Sequence, residues 1–175
     1  IGINYAVVIT TNGGLWRYLI GDTVRFTNTN PYRIKITGRT KHHINVFGEE
    51  LIIENAEDAL KIACKKTKAT IKDYTVGPIF MADKKSGGHQ WIIEFNEKPE
   101  DITLFTKLLD SSLQEINSDY EAKRYHNMTL AMPKIHIARE NLFYDWFTKK
   151  GKLGGQHKVP RLSNSRNFIE ELLEL

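Results

Sequence analysis

The sequence predicts an α+β fold: a ferredoxin-like βαββαβ small domain, preceded by a β-rich remnant of a larger domain and followed by extra C-terminal helices. Three observations carry this expectation. Residues 1–40 read as short strands alone, rich in Val, Ile and Tyr and separated by turn residues. From residue 41 the apolar period alternates in the order strand, helix, strand, strand, helix, strand, which is that of the split βαβ sandwich. Two further amphipathic stretches follow. The expected domains are therefore 1–40 and 41–175.

The opening section justifies itself strand by strand. Ile3–Thr10 is strand-like, and Asn12-Gly13-Gly14 supplies the positive φ angles of a tight hairpin. No helical pattern follows the two glycines, so they make a turn rather than a phosphate loop. Leu15–Ile20 is the return strand and ends at Gly21-Asp22, where glycine permits a tight backbone and leaves a lone carboxylate pointing out of the turn. Thr23–Thr27 and Tyr32–Thr37 are two more strands around the polar turn Asn28–Pro31. Gly38-Arg39 is a second stop of the same kind. Four short strands bury little by themselves, so they are expected to pack on a domain outside this sequence. The chain starts in mid-strand and lacks an initiator Met, which suggests a piece of a longer protein.

In the second section His43–Phe47 is a short strand. Glu54–Lys68 is a helix, with Ile52, Ala56, Ala59, Leu60 and Ala63 at spacings of three and four. Thr70–Met81 and Gln90–Phe95 are strands. Asp101–Asn117 is a second helix, carrying Phe105, Leu108, Leu109, Leu113 and Ile116 on one face and Pro99 near its start. Met128–Ala138 completes the set as a long strand. Asn141–Lys149 is helical, and its cluster of Phe143, Tyr144, Trp146 and Phe147 reads as core or interdomain contact. A loop with Gly151, Gly154 and Gly155 leads to a final helix, Asn167–Leu175, capped by Ser163, Asn164 or Ser165. A ferredoxin-like sandwich serves many unrelated functions.

Composition narrows the classes. With 175 residues and 41% hydrophobic content, the chain can bury a core. The 25 basic and 21 acidic residues are interleaved and give a net charge of +4, without a basic block carrying aromatics, so no nucleic-acid partner is expected. The single cysteine, Cys64, sits in a helical pattern as a small core residue rather than a nucleophile, and fits a reducing, cytoplasmic setting. No apolar run reaches the ~18–20 residues of a membrane span, and no basic signal region precedes the first strand.

Among the chemical groups, the six histidines show no helical i, i+4 ligand spacing, and His42 and His43 point to opposite faces of a strand, so no metal site is expected. No serine occupies a G-x-S-x-G elbow. Asp22 stands between two readings, a turn cap and an acceptor for both hydroxyls of a ribose. Arg39 presents five donors in a fixed fork suited to ribose or phosphate oxygens, or to a surface ion pair. Lys158, just after the glycine-rich loop, is either a solvated lysine or a charge delivered to a phosphate by a mobile loop.

Four motifs occur in a family's order. Gly14–Arg25, GLWRYLIGDTVR, is similar to GLYRYRxGDxxR. Gly38-Arg39-Thr40-Lys41 resembles the G-R-x-[D/K] junction of adenylating enzymes. His43–Leu51, HINVFGEEL, is similar to I-K-I-x-G-x-R-I-E. Gln156–Arg161, QHKVPR, resembles Q-x-K-x-P-R. Together they resemble the C-terminal part of an adenylate-forming enzyme, and more closely the auxin-responsive promoter (Gretchen Hagen) family of acyl acid amido synthetases in its bacterial form.

The resemblance implies that residues 1–40 are a remnant of the large adenylating domain and 41–175 a mobile C-terminal domain. It implies activation of a carboxylic acid with ATP and Mg²⁺ as an acyl-adenylate, then transfer of the acyl group to an amine, usually of an amino acid. By the same resemblance Asp22 holds the ribose hydroxyls, with Arg39 and Tyr18 in the nucleotide site. Lys41 is the hinge, and Lys158 is the catalytic lysine that approaches the α-phosphate. The expected partners are the small acid and amine substrates and the N-terminal domain of the same protein, with no nucleic acid or membrane. Glu49 departs from the pattern, which often has arginine after the glycine. A Ser/Thr/Gly-rich phosphate loop is also absent, so the chain by itself is expected to be inactive. The alternative is a non-enzymatic binding or regulatory module built on the ferredoxin-like sheet.

Overall fold

A computed structural model describes residues 1–39, 43–82, 86–152 and 158–175. Strands β1 (Asn4–Ile9), β2 (Tyr18–Thr29) and β3 (Tyr32–Arg39) form an antiparallel meander in that order. The predicted hairpin is present, closed by the Thr11 N–H donating to the Leu15 carbonyl at 2.9 Å. The return strand begins later than its apolar pattern suggests, because Arg17 takes a positive φ of 47° and donates its N–H to Thr10 Oγ1 at 3.1 Å.

The two predicted strands Leu15–Ile20 and Thr23–Thr27 are one strand. Ala6 pairs with Thr23 but Val8 pairs with Leu19, so Ile20, Gly21 and Asp22 together oppose Val7. Gly21, at φ 88°, absorbs the extra residues as a bulge. Asp22 therefore stands at a bulge within a strand and stays paired to β3, rather than at a strand's end.

The second unit runs β4 (His43–Ile44), β5 (Leu51–Ile52), α1 (Ile53–Thr67), β6 (Thr70–Ile79), β7 (Gly88–Glu97), α2 (Ile102–Ile116), α3 (Ser118–Arg124), β8 (Lys134–Ile137), α4 (Leu142–Lys149) and α5 (Asn167–Leu173). Its sheet has the order β6-β7-β8, with β6 antiparallel and β8 parallel to β7. β7 is central and buried on both faces. Trp91, Ile93 and Phe95 pack with Ala56, Leu60, Phe105 and Leu109 of α1 and α2, while Ile92 packs with Phe143, Trp146, Ile169 and Leu172 of α4 and α5. This is the period of two expected of a strand between two layers. The α+β class and the added C-terminal helices agree with the sequence, and Phe143 and Trp146 are core residues.

Four details differ. The first strand of the βαββαβ unit does not enter this sheet; it is two residues long and pairs with β5, His43 opposite Ile52 and Ile44 opposite Leu51. The chain reverses at Gly48 (φ 86°), where the Glu49 carboxylate accepts the Phe47 N–H at 2.7 Å. The last strand shrinks from Met128–Ala138 to Lys134–Ile137; of the stretch between it and the 3₁₀ turn at Tyr125–Asn127, only Leu130 bridges, to Gly87. α3 is an unforeseen helix: Asn117 leaves α2 in an extended conformation and caps the next, accepting the Tyr120 N–H at 2.9 Å. Finally, α5 starts after Arg166 without a side-chain cap, since Asn164 bonds to β4 and Ser163 Oγ accepts the Ser165 N–H.

Candidate functional site

The bulge and the β2–β3 ladder bring two predicted residues into register: Asp22 lies directly opposite Arg39 and Thr23 opposite Gly38. Tyr18 opens the same strand opposite Ile9 and is half exposed. Beneath the ladder Thr37 is buried and its Oγ1 lies 3.1 Å from Thr23 Oγ1. Glu54, in the first turn of α1, ties this sheet to the second unit. Its Oε1 accepts from Arg25 at 3.1 Å and from Lys35 at 2.7 Å. A cavity of about 260 Å³ opens at this seam, lined by Lys35–Gly38 of β3 and by Ile53, Glu54, Glu57 and Asp58 of α1. The side chain of Arg39 and the predicted hinge residue Lys41 lie outside the described residues.

Lys158 lies just ahead of a segment held against the other sheet. It is exposed, and the chain after it is fastened along β6 as an extra edge. Thr75 Oγ1 donates to the Pro160 carbonyl at 2.5 Å, the Val76 N–H donates to the Arg161 carbonyl at 2.9 Å, and the Ser163 N–H donates to the Val76 carbonyl at 3.1 Å. Val159 and Leu162 are buried. Arg161 pairs with Asp73, donates to the Tyr74 carbonyl at 3.0 Å and lies 4.5 Å from the centre of the Tyr74 ring. Lys158 thus stands exposed just ahead of a segment fastened to β6, with no partner among the described residues. Its neighbours Gln156 and His157 lie outside the described residues.

Sequence reasoning noted Glu49 only as a departure from a motif. It is fully buried, with Oε1 2.8 Å from Nε2 of the equally buried His89. Burial opposes its charge, but the hydrogen bond and positive field of His89 and the Phe47 N–H outweigh it and hold the Glu49 carboxyl below the usual carboxylate range. Asn117 Nδ2 donates to the Glu49 carbonyl at 3.0 Å. The loop after the predicted hinge is therefore locked onto β7 and α3. Glu49 lies between Gly48 and Glu50, so nothing local marks it for burial or indicates that His89 would meet it.

Among the described residues no group of three or more His, Cys, Asp or Glu gathers as a metal site. Cys64 is half-buried against the core, and burial pushes its thiol up, away from a reactive thiolate. Among the described residues no helix is long and apolar enough to cross a membrane.

Residues 54–167 match the GH3 family C-terminal domain. The chain belongs to the GH3 family. Residues 1–39 match the GH3 family central domain. Similar curated proteins from Arabidopsis thaliana are a probable indole-3-acetic acid-amido synthetase, GH3.1, and the indole-3-acetic acid-amido synthetase GH3.4. Each is 24% identical, over 98% and 92% of this chain and over 31% and 29% of their own lengths. The chain thus spans about a third of the length of these GH3 relatives. Among solved structures, GH3.15 acyl acid amido synthetase superposes with a TM-score of 0.76 at 20% identity, covering 99% of this chain and 33% of that one. The same enzyme in complex with 2,4-DB gives 0.74 over the same shares. The α+β architecture is that of a GH3 C-terminal region.

Proposed function

We propose that this chain is the seam and C-terminal domain of an ATP-dependent acyl acid amido synthetase, with a remnant of the adenylating domain at 1–40 and a mobile domain at 41–175. The reading is supported above all by one observation: the Asp22–Arg39 register pair stands at a bulge in the strands that match the GH3 central domain. A bulge re-aims a side chain out of a sheet, which suits a carboxylate that must reach a nucleotide.

The reaction has two steps. A carboxylate oxygen of the acid attacks the α-phosphorus of ATP, and the bond to pyrophosphate breaks. The amine of an amino acid then attacks the acyl carbon; the amide forms, AMP leaves, and the amine's proton passes to solvent. In this scheme Asp22 accepts from the ribose hydroxyls, and Arg39 and Tyr18 complete the nucleotide side. Lys41 is the pivot of the domain. Lys158 brings its positive charge to the α-phosphate and the acid's carboxylate, where charge builds in the first step. Mg²⁺, when bound, would neutralise phosphate charge. The described residues offer no ligand cluster for it, so its ligands would be phosphate oxygens and residues elsewhere in the protein. The partners are then the acid, the amine and the N-terminal part of the same protein. A cytoplasmic setting fits the lone, unpaired Cys64.

The test is product analysis with full-length protein, ATP, Mg²⁺ and a panel of carboxylic and amino acids. Mass spectrometry is expected to find AMP and an N-acyl amino acid in equal amounts. ADP in place of AMP, or no amide from any pair, would overturn the reading.

A further inference from the structure

Asn164 joins two parts of this machinery that lie 119 residues apart in the chain. Its Oδ1 accepts the Asn45 N–H at 2.8 Å, and its Nδ2 donates to the His43 carbonyl at 2.9 Å. A carbonyl and an N–H two residues apart on one strand are the pair a parallel neighbour engages. One carboxamide therefore takes the place of a strand residue beside β4. On one side β4 directly follows residues 40–42, where the hinge is proposed. On the other, Asn164 ends the extended arm that carries Lys158 along β6 through Arg161 and Ser163.

Ile44 and Leu162 share the same apolar core, which sets the distance between arm and β4. Apolar contact is non-directional, however. The paired carboxamide bonds are directional and fix how the two strands lie against each other. Both bonds are exposed and add to the β6 contacts that already fasten the arm; what they contribute is its orientation relative to β4.

We propose that Asn164 is a positioning residue: its carboxamide makes the strand after the hinge and the arm bearing Lys158 one rigid piece, so that rotation at the hinge carries the lysine with it. The proposal rests on the role given to Lys158 above. It assigns Asn164 no contact with substrate.

The test is acid-dependent exchange of labelled pyrophosphate into ATP by full-length protein, using the best acid of a panel that includes indole-3-acetate. Asn164→Ala is expected to lower kcat for exchange about tenfold, as loss of orientation does, with KM for ATP within about twofold of wild type. Asn164→Asp keeps the acceptor for Asn45 but loses the donor to His43, and should fall between the two. In a Lys158→Ala background Asn164→Ala should add less than about twofold, because both changes disable one unit. Hydrogen exchange at the Asn45 amide should quicken in Asn164→Ala. Wild-type exchange in Asn164→Ala, or its full tenfold loss on top of Lys158→Ala, would overturn the positioning role alone. A wild-type protein that exchanges nothing would overturn the functional reading, and the positioning role with it.

Discussion

Asp22 faces Arg39 across the β2–β3 ladder, and the bulge that places it there depends on Gly21 at φ 88°. If Asp22 accepts from the ribose hydroxyls, Asp22→Asn loses a charge-assisted contact of about 1.5–3 kcal/mol. The expected result is a rise of roughly 10- to 150-fold in KM for ATP, measured on full-length protein, with the KM for the acid little changed. An unaltered KM for ATP would remove Asp22 from the nucleotide site.

Lys158→Ala is expected to slow adenylation by about 10²–10³-fold, the usual cost of losing one charge-stabilising group. Single-turnover formation of acyl-adenylate measures it. Lys158 is exposed, so melting temperature should hardly move, which separates a chemical defect from an unfolded one.

The buried Glu49–His89 pair predicts a structural cost. His89→Ala leaves the Glu49 carboxylate buried without its 2.8 Å partner, and a loss of about 3–5 kcal/mol is expected in urea unfolding. The same pair sets a pH dependence. The folded-state pKa of Glu49 is depressed, so its contribution is complete above the unfolded carboxylate value of 4.5 and is lost as pH falls through the lower, folded value. Thermal stability should therefore drop more steeply on acidification in the wild type than in Glu49→Gln. Parallel profiles would refute this assignment.

A buried ion pair sets the α2–α3 corner. Asp110 accepts from Arg124 Nε and Nη2, both at 2.7 Å, and from the Tyr120 hydroxyl at 2.9 Å. Asp110→Ala strands the guanidinium and should cost about 3–5 kcal/mol of stability by denaturant melts. A loss below about 1 kcal/mol would mean that water replaces the carboxylate freely.

How much of this was legible differs by residue. The helices α1, α2 and α4 announced themselves because each buries one face, and a period near 3.6 is visible in Ala56, Leu60, Ala63 and Phe105, Leu109, Leu113. β7 could be read as a strand, but a buried run gives no sign of which strands flank it. The bulge at Gly21-Asp22 looked like a strand end, since glycine marks either and only the partner register decides. β4 looked longer than it is because apolar Val46 and Phe47 continue its pattern while packing in a turn against the core. The motif supplied Lys158 as a candidate, but nothing local shows that Arg161 and Asn164 anchor its arm. Their partners, Asp73, His43 and Asn45, are long-range neighbours that only the fold brings near.

The central claim is that Asp22 and Lys158 serve one adenylation reaction. Acid-dependent exchange of labelled pyrophosphate into ATP, by full-length wild type, Asp22→Asn and Lys158→Ala, tests it most directly. The account predicts exchange in the wild type, a raised KM for ATP in Asp22→Asn and a kcat at least about 10²-fold lower in Lys158→Ala. Wild-type exchange in both variants, or none in the wild type with any acid, would contradict it.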